Sequence, residues 1–311
     1  MSRKISPARQ TSPNNSTSLA ALDGSDTSAV LAGLNSPASL ASLAGLASPR
    51  IIAVTNFKGG AGKTTTSVAL ACALAQRGYR TLLVDLDPQA NATAWLSRSP
   101  VALGSSVGEW LLAAPAGMSP REVGPGDESL GGRLHLLPAT TALADQEEVL
   151  GRRKNYQYAL AQGLSAYAAG YDYLVLDCAP SIGPLTRMAL CAATDYLVPC
   201  LPEKFHFDGL AKIHQLAGGV QAKYNAGLTL AGVLFCRYNA GQKGQVAHSI
   251  VQAAGHVYGQ HQLLPSIRQD AAVGKAQTKG ELLHRFDALS NALEDYAALT
   301  EHLLTHFTHP R

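Results

Sequence analysis

The chain reads as an α/β fold: a mainly parallel sheet with helices on both faces, preceded by a disordered tail. Three observations predict this. Short, continuously apolar runs alternate with helix-length segments from residue 50 onward, the pattern of strands buried on both sides and joined by crossover helices. A glycine-rich turn follows the first apolar run and opens straight into a helical pattern,. Residues 1–49 differ in kind, being rich in Ser, Ala, Leu, Pro and Asn with no aromatic residue. Such a segment buries too little to offset its ordering entropy.

The elements follow in order. Ile51-Ile52-Ala53-Val54-Thr55 reads as a buried strand, and a helix is expected from about Lys63 to Gln76 with Gly78 as its stop,. Thr81–Asp85 is a second buried strand. Further strands are expected at Leu134–Pro138, Tyr173–Asp177, Tyr196–Cys200, Leu228–Phe235 and Gln262–Pro265. Helical patterns cover 155–169, 183–192, 206–224 and 243–258, and a last helix at about 286–307 closes the fold,. Residues 98–132, with several Gly and Pro, read as a looser excursion,. The organisation expected is therefore a disordered Ser/Ala-rich tail over 1–49 and one domain over 50–311. Within the tail, a transient docking helix at Ala38–Ala47 and an organelle transit peptide led by Arg3, Lys4 and Arg9 stay open as alternatives,.

Composition narrows the function classes. Of 311 residues, 46% are apolar and 15% charged, which is soluble globular composition,. A net charge of +3 is too small to argue for nucleic acid, so a DNA-binding surface must come from local clustering of Lys and Arg,. Cys72, Cys178, Cys191, Cys200 and Cys236 form no Cys-x-x-Cys pair and sit in or beside apolar runs. They are expected to be small buried hydrophobes in a reducing cytosol. No apolar run approaches the roughly 18 residues of a membrane span, and no secretory h-region follows the basic start,.

Chemistry concentrates in Lys58-Gly59-Gly60-Ala61-Gly62-Lys63-Thr64. A glycine turn between a strand and a helix N-terminus points backbone N–H groups at an anion. Lys63 adds a full charge for the β- and γ-phosphates, and the Thr64 hydroxyl is a hard oxygen ligand suited to Mg²⁺. The ordinary pattern Gly-x-x-x-x-Gly-Lys-[Ser/Thr] fails at Phe57, and an extra lysine, Lys58, stands beside it. Two carboxylate segments complete the group. Asp85-Leu86-Asp87-Pro88-Gln89 ends the second strand, and Leu174-Val175-Leu176-Asp177 ends a later one. In open α/β sheets ligands sit at the carboxyl ends of strands. Asp177 is placed to hold Mg²⁺ through water and Asp87 to orient the attacking water. Asp85 stays open between a site role and a turn former.

At these residues the chain resembles the ParA/MinD deviant Walker A P-loop ATPases, most closely the ParA partition proteins. Phe57–Thr66 resembles their Walker A loop, Asp85–Asn91 their second motif and Tyr171–Gly183 their third. The likeness runs on through Pro202–Phe205, Gly232–Asn239, Ser266–Asp270 and Ala276-Gln277 before Gly280. The family usually has Pro-Pro where this chain has Ala179-Pro180. The resemblance implies ATP and Mg²⁺ as cofactors, with Lys58, Gly59, Gly60, Ala61, Gly62, Lys63, Thr64 and Thr65 on the nucleotide, Asn239 at the adenine, and Thr64 and Asp177 on the metal. It implies an ATP-driven homodimer in which Lys58 reaches the partner's nucleotide and Asp87 is needed for hydrolysis. Further implications are non-specific DNA binding, a ParB-like adaptor that triggers release, and a cytoplasmic, nucleoid-associated protein. Basic residues of the C-terminal third, Arg237, Lys243, Arg268, Lys275, Lys279 and Arg285, are the candidates for DNA contact.

Two neighbouring readings share this chemistry. A ParA-like positioner of another cargo, such as a protein cluster or microcompartment, differs only in its adaptor. A MinD-like membrane-surface ATPase needs a basic amphipathic C-terminal helix. The end Leu303–Arg311 has one basic residue, two histidines and a proline, so no stable membrane binding is expected. The nitrogenase-like branch needs paired cluster cysteines, and Cys178 has no matching second one.

Overall fold

The computed structural model describes residues 48–97, 99–102, 104–113, 118–239, 241 and 245–308. The expectation of a disordered tail falls mostly on residues outside this set, as does the candidate Lys243.

Seven strands make one sheet: β1 (Arg50–Val54), β2 (Thr81–Leu86), β3 (Arg121–Glu122), β4 (Leu134–Leu137), β5 (Tyr173–Cys178), β6 (Asp195–Cys200) and β7 (Thr229–Phe235). Their order is β3-β4-β2-β5-β1-β6-β7. Every pairing is parallel except β3 on β4 at one edge. Side chains alternate between two cores, as the pleat requires. Ala53, Leu82, Val84, Leu174 and Leu176 enter one core. Ile52, Val54, Leu83 and Val175 enter the other. Strands buried on both faces explain the continuous apolar runs.

Helices cover both faces. On one lie α1 (Lys63–Gln76), α2 (Asn91–Leu96), α9 (Ala271–Lys279), α10 (Leu283–Phe286) and α11 (Asn291–Thr308). On the other lie α3 (Val107–Ala113), α4 (Leu143–Gly151), α5 (Ala159–Leu164), α6 (Pro184–Ala192), α7 (Lys204–Lys223) and α8 (Gln245–Tyr258). Local chemistry sets several ends. Pro184 occupies the first turn of α6, where its missing N–H costs nothing. Asp270 caps α9 by accepting from the Ala272 N–H, and Gly280 ends that helix in the left-handed region,. Among the described residues, no helix is long and apolar enough to cross a membrane.

Three expectations need correction. Gln262–Pro265 is not a sheet strand. A 3-10 turn at Gln260–Gln262 leads into an extended segment that makes only isolated bridges, Leu263 to Val233 of β7 and Ile267 to Cys236 just beyond it. Leu264 N donates to Val233 O and Ile267 N to Phe235 O, a three-residue step against a two-residue one, so the pairing slips out of register before a ladder can form,. The 155–169 helix breaks into 3-10 turns at Tyr156–Tyr158 and Ser165–Gly170 around α5. The excursion over 98–132 contains α3 and β3.

Candidate nucleotide site

The strand order places the carboxyl ends of β2, β5 and β1 side by side, so that Asp85 and Val54 both register with Asp177. The chain leaving β1 is clamped at once. Thr55 N donates to Leu197 O at 3.0 Å. Asn56 Nδ2 donates to Pro199 O at 2.7 Å, and Asn56 Oδ1 accepts from Lys58 N at 3.1 Å. The turn that follows passes through Gly60 at φ 72° and Gly62 at φ 93°, a region that side chains disfavour. A Cβ on Gly62 would also come within 3.0 Å of Cys236 Sγ. Gly62 is the N-cap of α1 and has no side-chain cap, so the first N–H groups of that helix are left to face an anion.

Lys63 is only 6% exposed. Its Nζ donates to Lys58 O at 3.1 Å. Burial lowers the pKa of this ammonium, and the carboxylates of Asp177 and Asp87 push it back up. Asp177 is fully buried. Its Oδ1 accepts from Ser67 Oγ at 3.0 Å, while Oδ2 is buried with no hydrogen-bond partner. Burial, then the nearby Asp85, raises the Asp177 pKa, opposed by the Thr64 and Ser67 hydroxyls and by Lys63. A carboxylate with one unsatisfied oxygen beside a threonine hydroxyl is a donor set that suits a hydrated divalent cation. The uncapped glycine turn suits the phosphates that such a cation accompanies.

Asp85, left open by the sequence, is a turn former. It accepts from Asp87 N at 3.1 Å, Thr93 N at 2.8 Å and Thr93 Oγ1 at 2.7 Å, and so ties α2 to the end of β2. Asp87 is 5% exposed and accepts from Gln89 N at 2.9 Å.

A cavity of about 640 Å³ opens above these groups, within the range of small-molecule sites. Gly59 to Thr65 form one wall with Asp87, Gln89 and Asn91. Cys236, Arg237, the Arg268–Ala271 segment, one side of α9 and Tyr296 form the other. Of the sequence-predicted residues, the loop and Asp87 meet here, and Asp177 lies buried behind Lys63 and Ser67. The Lys58 side chain is not part of the wall. Its Nζ lies 5.3 Å from the centre of the Phe57 ring.

Five other candidates can be placed. Asn239 lies outside the cavity wall, where its Oδ1 accepts from Gly241 N at 3.0 Å. Arg237, in the left-handed region at φ 55°, lines the cavity in its stead. Arg268 also lines the cavity. Its guanidinium is paired with Asp295 at 2.7 Å and Glu294 at 2.7 Å. Lys275 and Lys279 are exposed on α9. At 3.6 residues per turn they lie about half a turn from the face that lines the cavity. Gln89, Asn91 and Gln277 lie within motifs read from the sequence without being given a role there, and Tyr296 is not singled out at all. Nothing local marks Tyr296, whose hydroxyl meets Thr66 Oγ1 at 3.2 Å.

Fold and site together define a P-loop ATPase with a lysine beside the glycine turn. A family model described as an AAA domain matches residues 49–230. Chromosome partitioning protein ParA of Myxococcus xanthus is 31% identical over 82% of this chain and 88% of its own length. Sporulation initiation inhibitor protein Soj of Bacillus subtilis is 31% identical over 81% of this chain and 97% of its own. Cobyrinic acid a,c-diamide synthase of Mycobacterium smegmatis, solved with bound ADP and magnesium, superposes with a TM-score of 0.70 at 31% identity, covering 85% of this chain and 97% of that one. The chain belongs to the ParA family of partition ATPases.

Proposed function

We propose that the protein binds Mg-ATP, pairs into an ATP-dependent homodimer on non-specific DNA, hydrolyses the nucleotide, and is released by a ParB-like adaptor. Its work would be the segregation of plasmid or chromosomal DNA in the cytoplasm, at the nucleoid. The observation that carries this reading is the split orientation of Lys58. Its carbonyl turns inward to the Lys63 ammonium, while its own side chain lies outside the cavity. A cation so placed serves a nucleotide held by a second copy better than its own, and a symmetric pair supplies the charge twice.

The roles of the chain's own groups follow from placement. The N–H groups of Gly59 to Thr65 cradle phosphate, and Lys63 neutralises it. Thr64 Oγ1 and, through water, Asp177 would hold the magnesium ion, which supplies charge neutralisation across the phosphates. Asp87, nearly buried in the wall, orients the water for in-line attack,. Lys275 and Lys279 offer charge on the side of α9 turned away from the nucleotide.

A salt titration of DNA binding with ATP, with ADP and without nucleotide tests this reading. Log affinity should fall linearly with log salt at a slope of about −0.9 per phosphate contacted. It should be indifferent to DNA sequence and require ATP. Equal binding in all three states would refute the ATP-built DNA surface, and a flat salt dependence would refute phosphate contact.

A further inference from the structure

We propose that the Phe57 ring is a parking face for the Lys58 ammonium, which must leave it before a dimer can close. The proposal rests on the reading of Lys58 as a cation delivered to the partner's nucleotide.

Lys58 Nζ lies 5.3 Å from the Phe57 ring centre, inside the range of cation–π attraction. Lys212 Nζ, from α7, lies 5.1 Å from the same ring. Two ammonium groups on one ring repel each other, so their convergence marks the ring as what draws them. The ring is half-buried and packed on the core, which keeps its face in place. The stem of Lys58 is fixed as well. At Gly209 of α7 a Cβ would come within 3.2 Å of Lys58 Cγ and 3.1 Å of Phe57 Cε1. That glycine is the gap through which the lysine runs along the helix. Asn56 holds the Lys58 N–H from below. The backbone is thus locked by Asn56 and by the Lys63 ammonium, the stem is held as far as Cγ, and only the chain beyond Cγ is free to swing between ring and partner.

A contact that holds Lys58 in the lone subunit opposes dimerisation. Removing it should therefore tighten the dimer, the reverse of what structural damage would do. A cation–π contact at a partly exposed site changes an equilibrium about 2- to 5-fold. Two copies in a symmetric dimer make that about 4- to 25-fold in the association constant.

The experiment is sedimentation of the full chain with magnesium and a non-hydrolysable ATP analogue, at concentrations spanning the dimerisation constant. Phe57→Leu should tighten the dimer by that factor. Phe57→Trp, a stronger cation acceptor, should weaken it, and Phe57→Tyr should stay near the parent. In a Lys58→Ala background, Phe57→Leu should recover no dimer. A weaker dimer in Phe57→Leu, or equal dimerisation of the Leu and Trp variants while Lys58→Ala still dissociates, would overturn the parking role alone. Full dimerisation of Lys58→Ala would instead overturn the underlying reading of Lys58, and parking with it. Should Phe57→Leu fail to fold, the Trp and Tyr variants carry the same comparison, and a Trp variant as tight as the parent rejects the proposal.

Discussion

The Lys63 ammonium donates a hydrogen bond to the backbone carbonyl of Lys58 at 3.1 Å. One lysine's charge thus rests on its neighbour's peptide oxygen, inside a loop otherwise lined by glycine. Phosphate oxygens are stronger acceptors than that carbonyl. Lys63→Ala should therefore weaken binding of a fluorescent ATP analogue about 100-fold, the order expected for losing a hydrogen bond between charged groups. Near-parental affinity would remove the P-loop assignment.

Asp87→Ala should bind ATP with little change and lose hydrolysis by a factor of about 100 or more. The carboxylate lies in the cavity wall and accepts a local turn hydrogen bond from Gln89 N, so its removal leaves the phosphate cradle intact. The variant should collect as an ATP-bound dimer. Steady-state phosphate release measured with DNA and adaptor present checks this, and normal turnover would remove Asp87 from the mechanism.

The basic residues divide by position. Replacing Arg268 would strand Asp295, which is only 13% exposed at its side chain, and would disturb the cavity wall. Lys275→Glu with Lys279→Glu is the cleaner change. It should weaken DNA binding at every sequence and reduce the salt slope by about 1 for each phosphate no longer neutralised, with ATP affinity unaltered. An unchanged slope would place the DNA surface elsewhere.

Arg50→Met should destabilise the fold by about 3 kcal/mol at neutral pH, because it removes the guanidinium paired with a buried carboxylate. Arg50 Nε meets Asp195 Oδ2 at 2.8 Å, and Asp195 is wholly buried. Burial raises the Asp195 pKa, but Arg50 and the Thr229 and Thr194 hydroxyls outweigh it and hold the carboxyl below its ordinary range. A depressed carboxyl stabilises above its unfolded pKa and ceases to do so as pH falls through the folded one. The gap between parent and variant should therefore be widest at neutral pH and narrow below about pH 4. Denaturant melts at several pH values check it, and a gap that widens toward acid would reject the ion-pair account.

Legibility follows locality. The loop from Gly59 to Thr65 is readable because a strand, a glycine turn and a helix N-terminus are neighbours in sequence as well as in space. Asp177 is readable because its strand end announces it. The pairing of Arg268 is not legible because its partners Glu294 and Asp295 come more than twenty residues later, and a charge in sequence says nothing of its counter-ion. The position of Asn239 outside the cavity wall is not legible, because the left-handed turn at Arg237 is invisible to residue patterns. The short helix α2 escapes notice because it has only six residues, too few for a period to show, and it leans on Asp85 through Thr93.

The sheet that divides the two cores also divides the chain's two tryptophans. Trp110 is buried in one core. Trp95 is buried in the other, with its indole N–H donated to Glu281 O at 2.8 Å. Each layer therefore carries its own intrinsic fluorophore. With Trp110→Phe, emission reports only the layer holding α1, α9 and α11. With Trp95→Phe, it reports only the layer across the sheet. Coincident melting curves from the two variants would describe one cooperative unit, and separated curves would time the loss of each face in turn.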